Sequence, residues 1–224
     1  MKEVSPVLHR CALFAGIQES DLAGLLGCLG ADTVTVKKGN NLFSEGEPAR
    51  YVGIVLAGSV QVVQDDYYGN RSILVQAGPG ELIGETFACA GVAALPVSVI
   101  ASEDSTILRL DCYRITRSCS NACEFHNRLI LNLLQVVAAK TLSFHKKLEI
   151  TTQRTTREKL MAYLLWQAKE HHSSAFTIPF DRQGLADYLG VERSAMSAEL
   201  SKLRKDGIID FDRSHFTIKT EVTA

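Results

Sequence analysis

Three cysteines and one histidine lie close together in the middle of this sequence. They are Cys112, Cys119, Cys123 and His126, in the spacing C-x6-C-x3-C-x2-H. Thiolate and imidazole groups are ligands for zinc, iron–sulfur clusters and haem. However, the spacing matches no standard zinc or ferredoxin signature, and free cysteine is among the most buried residue types. Two interpretations stay open: a metal, haem or redox site, or four residues that only pack in a core.

The size and charge of the chain limit the elements that can position these residues. The 224 residues include 24 basic and 25 acidic side chains, so the net charge is −1 and no global field indicates a nucleic-acid partner. We expect two domains. The N-terminus has no signal-peptide pattern, and no run approaches the ~18 apolar residues of a membrane helix. These features predict a cytoplasmic protein whose six cysteines are free thiols, metal ligands or redox sensors rather than disulfides.

Short apolar or alternating runs fill residues 33 to 110. TVTV, YVGIVLAG, SVQVVQ, SILVQAG and STILRL are separated by turn sequences such as KKGNN, EGEP and GPGE. Many short strands with glycine-rich turns predict an antiparallel β-sandwich or β-roll. DDYYGNR is the strongest hairpin-turn signal among them. A capped helix over residues 20–30 precedes the strands.

A helical pattern begins at Asn121 and continues for almost thirty residues. A helix of this length is a rod of roughly 40 Å, too long for a single small core to cover. We favour a two-stranded dimer helix over burial against the chain's own domain, because Lys140 lies within the apolar stripe. The predicted interface residues are Leu129, Leu133, Val136, Val137, Lys140 and Phe144.

The remaining segment predicts a small helical domain that ends in a hairpin. TTQRTTREKL interrupts the long helix, and Thr155 with Glu158 has capping-box spacing for the next one. SSAFTIPF is interpreted as a linker, Asp181 as the N-cap of RQGLADYL, and Ser194 as the start of the last helix. IIDFDRSHFTIKT predicts a two-stranded wing.

In this order of elements the chain resembles the Crp/Fnr superfamily of bacterial transcription regulators. The motifs KKGNNLFSEGEP, YVGIVLAGSVQV, GPGELIGE, DRQGLADYLGVERSAMSAELSKLRKDGII and FDRSHFTIK carry the resemblance, which covers nearly the whole chain. It implies an α+β fold with an N-terminal antiparallel β-roll (a double-stranded β-helix), a long dimerisation helix and a C-terminal winged helix-turn-helix. The expected bounds of these parts are 1–118, 119–150 and 151–224. Glycines 39, 46, 58, 80 and 84 lie where such a roll needs tight turns.

The resemblance also assigns the two short helices around Gly190. A helix-turn-helix lays the start of its second helix in the major groove, and its first helix packs behind. The predicted inner face consists of Leu185, Leu189, Met196, Leu200 and Leu203. Arg193, Ser194 and Ser197 then face the bases, and the Arg193 guanidinium can pair with guanine O6 and N7. The predicted phosphate contacts are Arg182, Gln183, Ser201, Lys202, Lys205 and His215. Because the helix departs from both the oxygen-sensing and the cyclic-AMP-binding branches, no target sequence carries over.

The same resemblance places an effector pocket along GETFACAGVAALPV. The predicted pocket residues are Gly84, Glu85, Thr86, Cys89, Pro96 and Val97. Cyclic-AMP binders of the family have Arg-Ser or Arg-Thr where this chain has Leu95 and Pro96, and no basic residue lies between Arg71 and Arg109. A buried phosphodiester without a cation is costly, so no cyclic AMP binding is expected. The expected signal is an unidentified small molecule, or an iron–sulfur cluster, haem, zinc or thiol oxidation at the cysteines.

Two rival functions are a ligand-binding regulatory protein that does not act through DNA, and a cupin-like enzyme. A cupin metal site needs several histidines on its strands, and the sequence has none between His9 and His126. No G-x-S-x-G, Walker or dinucleotide motif is present. We therefore expect a homodimeric regulator that is not an enzyme. Its expected partners are a palindromic double-stranded operator, a small-molecule effector and RNA polymerase, with no membrane.

Overall fold

The computed structural model describes residues 5–116 and 124–219, which form two compact units. The N-terminal unit contains the described residues up to 141 except 71–73, and the C-terminal unit contains 71–73 and the residues from 142 onward. Within this part of the chain, no helix has both the length and the apolar character needed to span a membrane.

Eight strands and five helices of the described residues lie wholly or mainly in the N-terminal unit. The strands are β1 (Asp32–Val36), β2 (Asn41–Phe43), β3 (Tyr51–Ala57), β4 (Val60–Asp65), β5 (Arg71–Ala77), β6 (Leu82–Ile83), β7 (Ser98–Ala101) and β8 (Ser105–Asp111). The helices are α1 (Ser5–Arg10), α2 (Glu19–Cys28), α3 (Glu85–Ala90), α4 (Cys112–Thr116) and α5 (Glu124–Thr151), with a 3-10 turn at Ala12–Phe14. The mixture of helices with antiparallel sheets confirms the predicted α+β class.

The strands form two four-stranded sheets, as a roll requires. Their orders are β1-β8-β3-β6 and β2-β7-β4-β5, and the recorded pairings are antiparallel. Val55 and Ile107 of the first sheet pack with Val62 and Val99 of the second in one buried cluster. The turns match the prediction, because glycines 39, 46, 58, 80 and 84 all have positive φ. At the predicted hairpin tip, the Asp66 carboxylate accepts from the backbone N–H groups of two turn residues.

A second core lies on the other face of the first sheet. Val52, Ile54 and Leu56 alternate with Val55 along β3, so they point away from the roll interior. They pack against apolar residues of α1, α2, α4 and the first half of α5. Both faces of β3 are therefore buried, which explains its nearly continuous apolar sequence.

The first half of α5 corrects the predicted dimer stripe. Leu129, Leu133 and Val136 are buried within the N-terminal unit itself, with 0%, 4% and 8% of their surface exposed. Side chains so completely covered have almost no area left to bury against a second chain, so their assignment to the dimer interface was wrong. Val137 packs partly against the same core, whereas Phe144 is exposed. The prediction failed because the apolar stripe of a long helix can pack against the core of its own domain as well as against a second chain.

After the end of α5, the described residues of the C-terminal unit form three helices and a small sheet. They are α6 (Thr156–Glu170), α7 (Arg182–Leu189) and α8 (Arg193–Lys205), with β9 (Ala175–Thr177), β10 (Ile209–Asp212) and β11 (His215–Ile218) in the order β10-β11-β9. The predicted capping box is confirmed: Thr155 accepts from the Glu158 backbone, and Glu158 accepts from the Thr155 backbone. The predictions of a two-stranded wing and of a linker at SSAFTIPF were wrong in part, because the sheet has three strands. Phe176 and Thr177 of that linker pair with β11 and add a third strand.

Candidate DNA interface and sensor site

Local sequence determines the turn between α7 and α8. The Asp181 side chain accepts from the Gly184 backbone N–H at 2.7 Å, which confirms Asp181 as the N-cap. Gly190 ends α7 with φ +62°, a left-handed conformation that costs glycine little. The Lys159 ammonium of α6 lies 3.4 Å from the Leu189 carbonyl oxygen, at the negative end of α7. The second helix starts at Arg193, one residue earlier than predicted.

The inner and outer faces of the helix pair are clearly separated. The predicted inner residues Leu185, Leu189, Met196, Leu200 and Leu203 are all buried, with at most 1% of their surface exposed. Opposite them, Arg193 and Ser194 are exposed and Ser197 is half-buried at the start of α8. Because successive residues turn by about 100°, Ser194, Ala198, Ser201 and Lys205 follow one another along the outer face.

The six predicted phosphate contacts differ in their availability. Gln183, Ser201, Lys202, Lys205 and His215 are exposed. Four of them have a hydrogen-bond or ion-pair partner: Gln183 donates to Asp187, Ser201 donates to the Ser197 carbonyl oxygen, Lys202 pairs with Glu199, and His215 is hydrogen-bonded to Thr177.

Arg182 is not an open cation. Its guanidinium carbon lies 4.7 Å from the centre of the Phe211 ring and 5.3 Å from that of Phe216. Burial and then the charge of Arg204 lower the pKa of Arg182. Arg182 therefore packs against the rings of the wing, and its assignment as a phosphate ligand stays a prediction.

Two further features of this surface were missed in the sequence. Arg213 is exposed at the tip of the β10–β11 hairpin, with φ +49°, a conformation that costs a non-glycine residue about 1 to 2 kcal/mol. A shallow groove beside α8 is lined by the N-terminal residues of α6 as well as by α8 itself. Its lining residues are Thr155, Thr156, Arg157, Ala195, Ala198, Glu199 and Lys202. The arginine in the DRSH turn could have been predicted from the sequence as a DNA contact. The groove could not, because its lining segments are about forty residues apart in the sequence.

The N-terminal unit contains a buried ion pair in the predicted effector region. Glu85 is the first residue of α3 and follows the N-cap residue Gly84, whose φ is +77°. The Glu85 side chain is 2% exposed. The Lys140 ammonium on α5 lies 2.8 Å from Glu85 Oε1 and also donates to the Leu82 carbonyl oxygen. Thr86 donates to the same carboxylate oxygen at 3.0 Å. Glu85 Oε2 has no hydrogen-bond partner among the described residues, so the buried carboxylate is only partly satisfied.

Lys140 therefore has a role that the sequence did not predict. Its charge neutralises Glu85 within the same chain, and its assignment to the dimer interface stays a prediction. No basic residue lies near Glu85 in the sequence, between Arg71 and Arg109, and the cation comes from α5, 55 residues downstream. Of the other predicted pocket residues, Cys89 and Pro96 are exposed, and Val97 is part of the roll interior.

The predicted metal or redox set is only partly within the described residues. Cys119 and Cys123 lie outside them. Cys112 is buried with its sulfur 3.7 Å from that of Cys89, and His126 Nε2 is 2.9 Å from the Arg114 carbonyl oxygen. Among residues 5–116 and 124–219, no group of three potential ligands could hold a metal ion. A metal, haem or cluster at Cys112, Cys119, Cys123 and His126 stays a prediction.

Two family models match the chain at the two regions just described. The model of the cyclic nucleotide-binding domain matches residues 33–119, and the model of the Crp-like helix-turn-helix domain matches residues 158–221. Together they cover more than half of the chain, in the order that the sequence motifs predicted. The chain belongs to the Crp/Fnr superfamily. This confirms the resemblance on which the site residues were assigned.

Individual relatives of this Crp/Fnr protein agree in architecture. The transcriptional activator protein FnrL of Cereibacter sphaeroides is 22% identical, and the match covers 99% of this chain and 92% of FnrL. The c-di-GMP responsive regulator CLP of Xanthomonas campestris has a TM-score of 0.74 at 16% identity, covering 91% of this chain and all of CLP. FixK2 of Bradyrhizobium japonicum has a TM-score of 0.67 at 20% identity, covering 85% and 93%.

These relationships decide between the broad classes of function. The chain is a DNA-binding transcriptional regulator of the Crp/Fnr superfamily. Its relatives are transcriptional regulators, which disfavours both a cupin-like enzyme and a regulatory protein that never contacts DNA.

Proposed function

We propose that this protein is a homodimeric regulator that binds a palindromic DNA site and is controlled by a signal received in its β-roll. The observation that carries the proposal is the division of α8 into a fully buried inner face and an exposed outer face that begins with Arg193 and Ser194. Such a helix is held rigidly by its inner face. It can therefore present a fixed set of polar groups to the major groove.

Three residues at the start of α8 would read base edges. Arg193 would donate two hydrogen bonds to a guanine, and the Ser194 and Ser197 hydroxyls can each donate or accept. Lys205, Ser201, Gln183 and His215 would contact phosphates and set the register of the helix. Arg213 at the wing tip joins this set, because its exposed position and unusual φ are typical of residues held for a contact.

The homodimer is supported by apolar residues on the face of α5 that the N-terminal core leaves open. Leu131, Leu134, Leu142 and Leu148 are 47–69% exposed. At about 100° per residue they lie on one side of the helix, with Ala138 between them and opposite Leu129 and Leu133. A stripe at this spacing is typical of a two-stranded coiled coil. A second copy of α5 is therefore the proposed occupant.

The β-roll would sense its signal through α3 and the ion pair. Lys140 lies on α5, the helix that continues from the N-terminal unit into the C-terminal unit, so an effector that disturbs Glu85 would act directly on α5. The proposed effector is a small molecule other than cyclic AMP, because Leu95 and Pro96 replace the basic and hydroxyl residues of cyclic-AMP binders. A redox or metal signal at the cysteines is the alternative input.

The proposal places the protein in the cytoplasm with its DNA. When the regulator activates transcription, RNA polymerase would be a further partner.

The DNA-binding proposal is tested by selecting bound sequences from a random pool and then measuring affinities. We expect a palindrome whose half-sites are separated by about one helical turn, ~34 Å. Arg193→Ala should weaken binding to the selected site by ~1 to 3 kcal/mol and affect random DNA much less. Equal losses on both would contradict base reading by Arg193, and a pool without enrichment would contradict sequence-specific binding.

The dimer is tested independently of DNA by light scattering on the purified protein. Leu134→Glu should convert the dimer to a monomer, because it buries a charge in the proposed seam. Ala139→Glu, an exposed site on another side of α5, is the matched control and should remain dimeric. A wild-type monomer, or a dimer that survives Leu134→Glu, would contradict the proposed interface.

A further inference from the structure

Two cysteine side chains that take no part in the Glu85–Lys140 ion pair lie in contact with each other. Cys89 on α3 is exposed, whereas Cys112 in the first turn of α4 is buried, and their sulfur atoms are 3.7 Å apart. Among the four cysteines that the structure describes, no other two have their sulfur atoms in recorded contact. A disulfide needs a sulfur–sulfur distance of about 2.05 Å. A side-chain adjustment of roughly 1.6 Å would therefore bring the two atoms to bonding distance.

We propose that Cys89 and Cys112 form an oxidation site, at which a hydroperoxide converts the two thiols into one intramolecular disulfide between α3 and α4.

The reaction takes two steps and consumes one hydroperoxide. In the first, the Cys89 thiolate attacks the peroxide, the O–O bond breaks, and Cys89 becomes a sulfenic acid while the leaving oxygen takes up a proton as water or alcohol. In the second, the Cys112 sulfur attacks the Cys89 sulfur, and hydroxide leaves with the Cys112 proton as water. The two sulfurs together lose two electrons, and the peroxide gains them. A dithiol reductant reverses the reaction by thiol–disulfide exchange.

The surroundings of the two sulfurs assign these roles. Cys89 is the one that solvent reaches, so it meets the oxidant first. Cys112 is buried next to Cys89, with its sulfur 3.7 Å from the Cys89 sulfur, so its thiol is the one placed to attack the sulfenic acid. Burial raises the pKa of Cys11 to about 11, and that thiol is expected to be inert.

Oxidation has a direct route to the ion pair. Glu85 and Cys89 are one helical turn apart on α3, so they share a face of a six-residue helix. A disulfide that pulls this helix toward α4 moves the segment that holds Glu85 against Lys140 of α5. This part of the inference rests on the proposed function, since it assumes that α5 relays a signal to the DNA-binding helices. Formation of the disulfide does not depend on that assumption.

The oxidation site is tested on the reduced full-length protein treated with hydrogen peroxide. Non-reducing peptide mapping should yield a cross-linked pair containing Cys89 and Cys112, which a dithiol reductant separates again. In Cys112→Ser, Cys89 should instead be trapped as a sulfenic acid by dimedone. Cys28→Ser, at another exposed cysteine, should keep the cross-link. The absence of a cross-link, or one that joins Cys112 to Cys119 or Cys123 instead, would overturn the assignment.

The regulatory consequence is read separately on a selected DNA site. Reduced protein gives the reference affinity, so a failure to bind there counts against the proposed function and not against the thiol pair. Oxidised wild-type protein should differ from it by about 5-fold or more, and Cys89→Ser should not respond to peroxide. A cross-link that forms without any change in affinity would refute the link to DNA binding.

Discussion

The ion pair at α3 and the outer face of α8 place their charged side chains in opposite ways. In the N-terminal unit, Glu85 is buried at the start of α3, and Lys140 from a distant part of the chain neutralises it. In the C-terminal unit, Arg193 and Lys205 lie exposed on the outer face of α8, opposite the buried inner face of the helix pair.

The buried charges of Glu85 and Lys140 maintain a conformation, whereas the exposed charges on α8 are available to bind a ligand. A buried pair is sensitive to any change of either partner, because the remaining charge stays without compensation. Exposed cations contribute little to folding and are free to meet a phosphate or a base. Substitutions of Glu85 or Lys140 should therefore act on stability, and substitutions on the outer face of α8 should act on DNA binding.

The largest effect is expected from removing the buried cation. Lys140→Met leaves Glu85 without its ion pair and should lower the free energy of unfolding by about 3 kcal/mol. Denaturant unfolding followed by circular dichroism measures the change. If Glu85→Gln is added to Lys140→Met, much of the loss should return, because no buried charge then remains. A Lys140→Met protein as stable as wild type would remove the distinction between the buried ion pair and the exposed cations of α8.

A smaller effect is expected from removing one exposed cation. Lys205→Ala should weaken binding to selected and random DNA alike and reduce the slope of log affinity against log salt by about 0.9, since one phosphate contact is lost. Unfolding stability should hardly change. Lys38→Ala removes an exposed charge from the N-terminal unit and should leave the salt slope as it is. An unchanged slope in Lys205→Ala would exclude Lys205 from the phosphate contacts.

The smallest effect concerns the capping box of α6. The backbone and side chain of Thr155 lower the pKa of Glu158 below its ordinary 4.5, so the carboxylate form stabilises the folded state. This contribution is fully present above about pH 4.5 and is lost as the pH falls through the lowered pKa of the folded state. Glu158→Gln should flatten the acid side of the stability curve slightly, measured by thermal unfolding across pH. Glu170→Gln, at the other end of α6, serves as the control. An equal change in both variants would contradict the role of the cap.

The parts of the fold that the sequence predicted well depend on local signals. The alternating strands, the left-handed glycines, the Thr155–Glu158 cap and the inner face around Leu200 are each determined by residues within a few positions of one another. The helix-turn-helix was therefore predictable nearly residue by residue, and the comparison with family models agrees with it.

The parts that were missed depend on contacts between distant segments. Phe176 belongs to a strand only because β11 lies beside it, and Lys140 reaches Glu85 only after α5 packs against the roll. The sequence predicted Arg182 to be a free cation, whereas in the structure its guanidinium lies against the Phe211 and Phe216 rings. In each case a residue distant in the sequence determines the role of the side chain, so the local sequence alone could not predict that role.

The ion pair between Glu85 and Lys140 also constrains how this protein can evolve. A lineage that replaces either residue alone passes through a form with an unpaired buried charge, and selection for folded protein acts against that form. Only paired replacements, to two neutral side chains or to a bound ligand that supplies the missing charge, avoid the penalty. Positions 85 and 140 should therefore vary together among descendants of this chain, and lineages that change both are candidates for having changed the signal they sense.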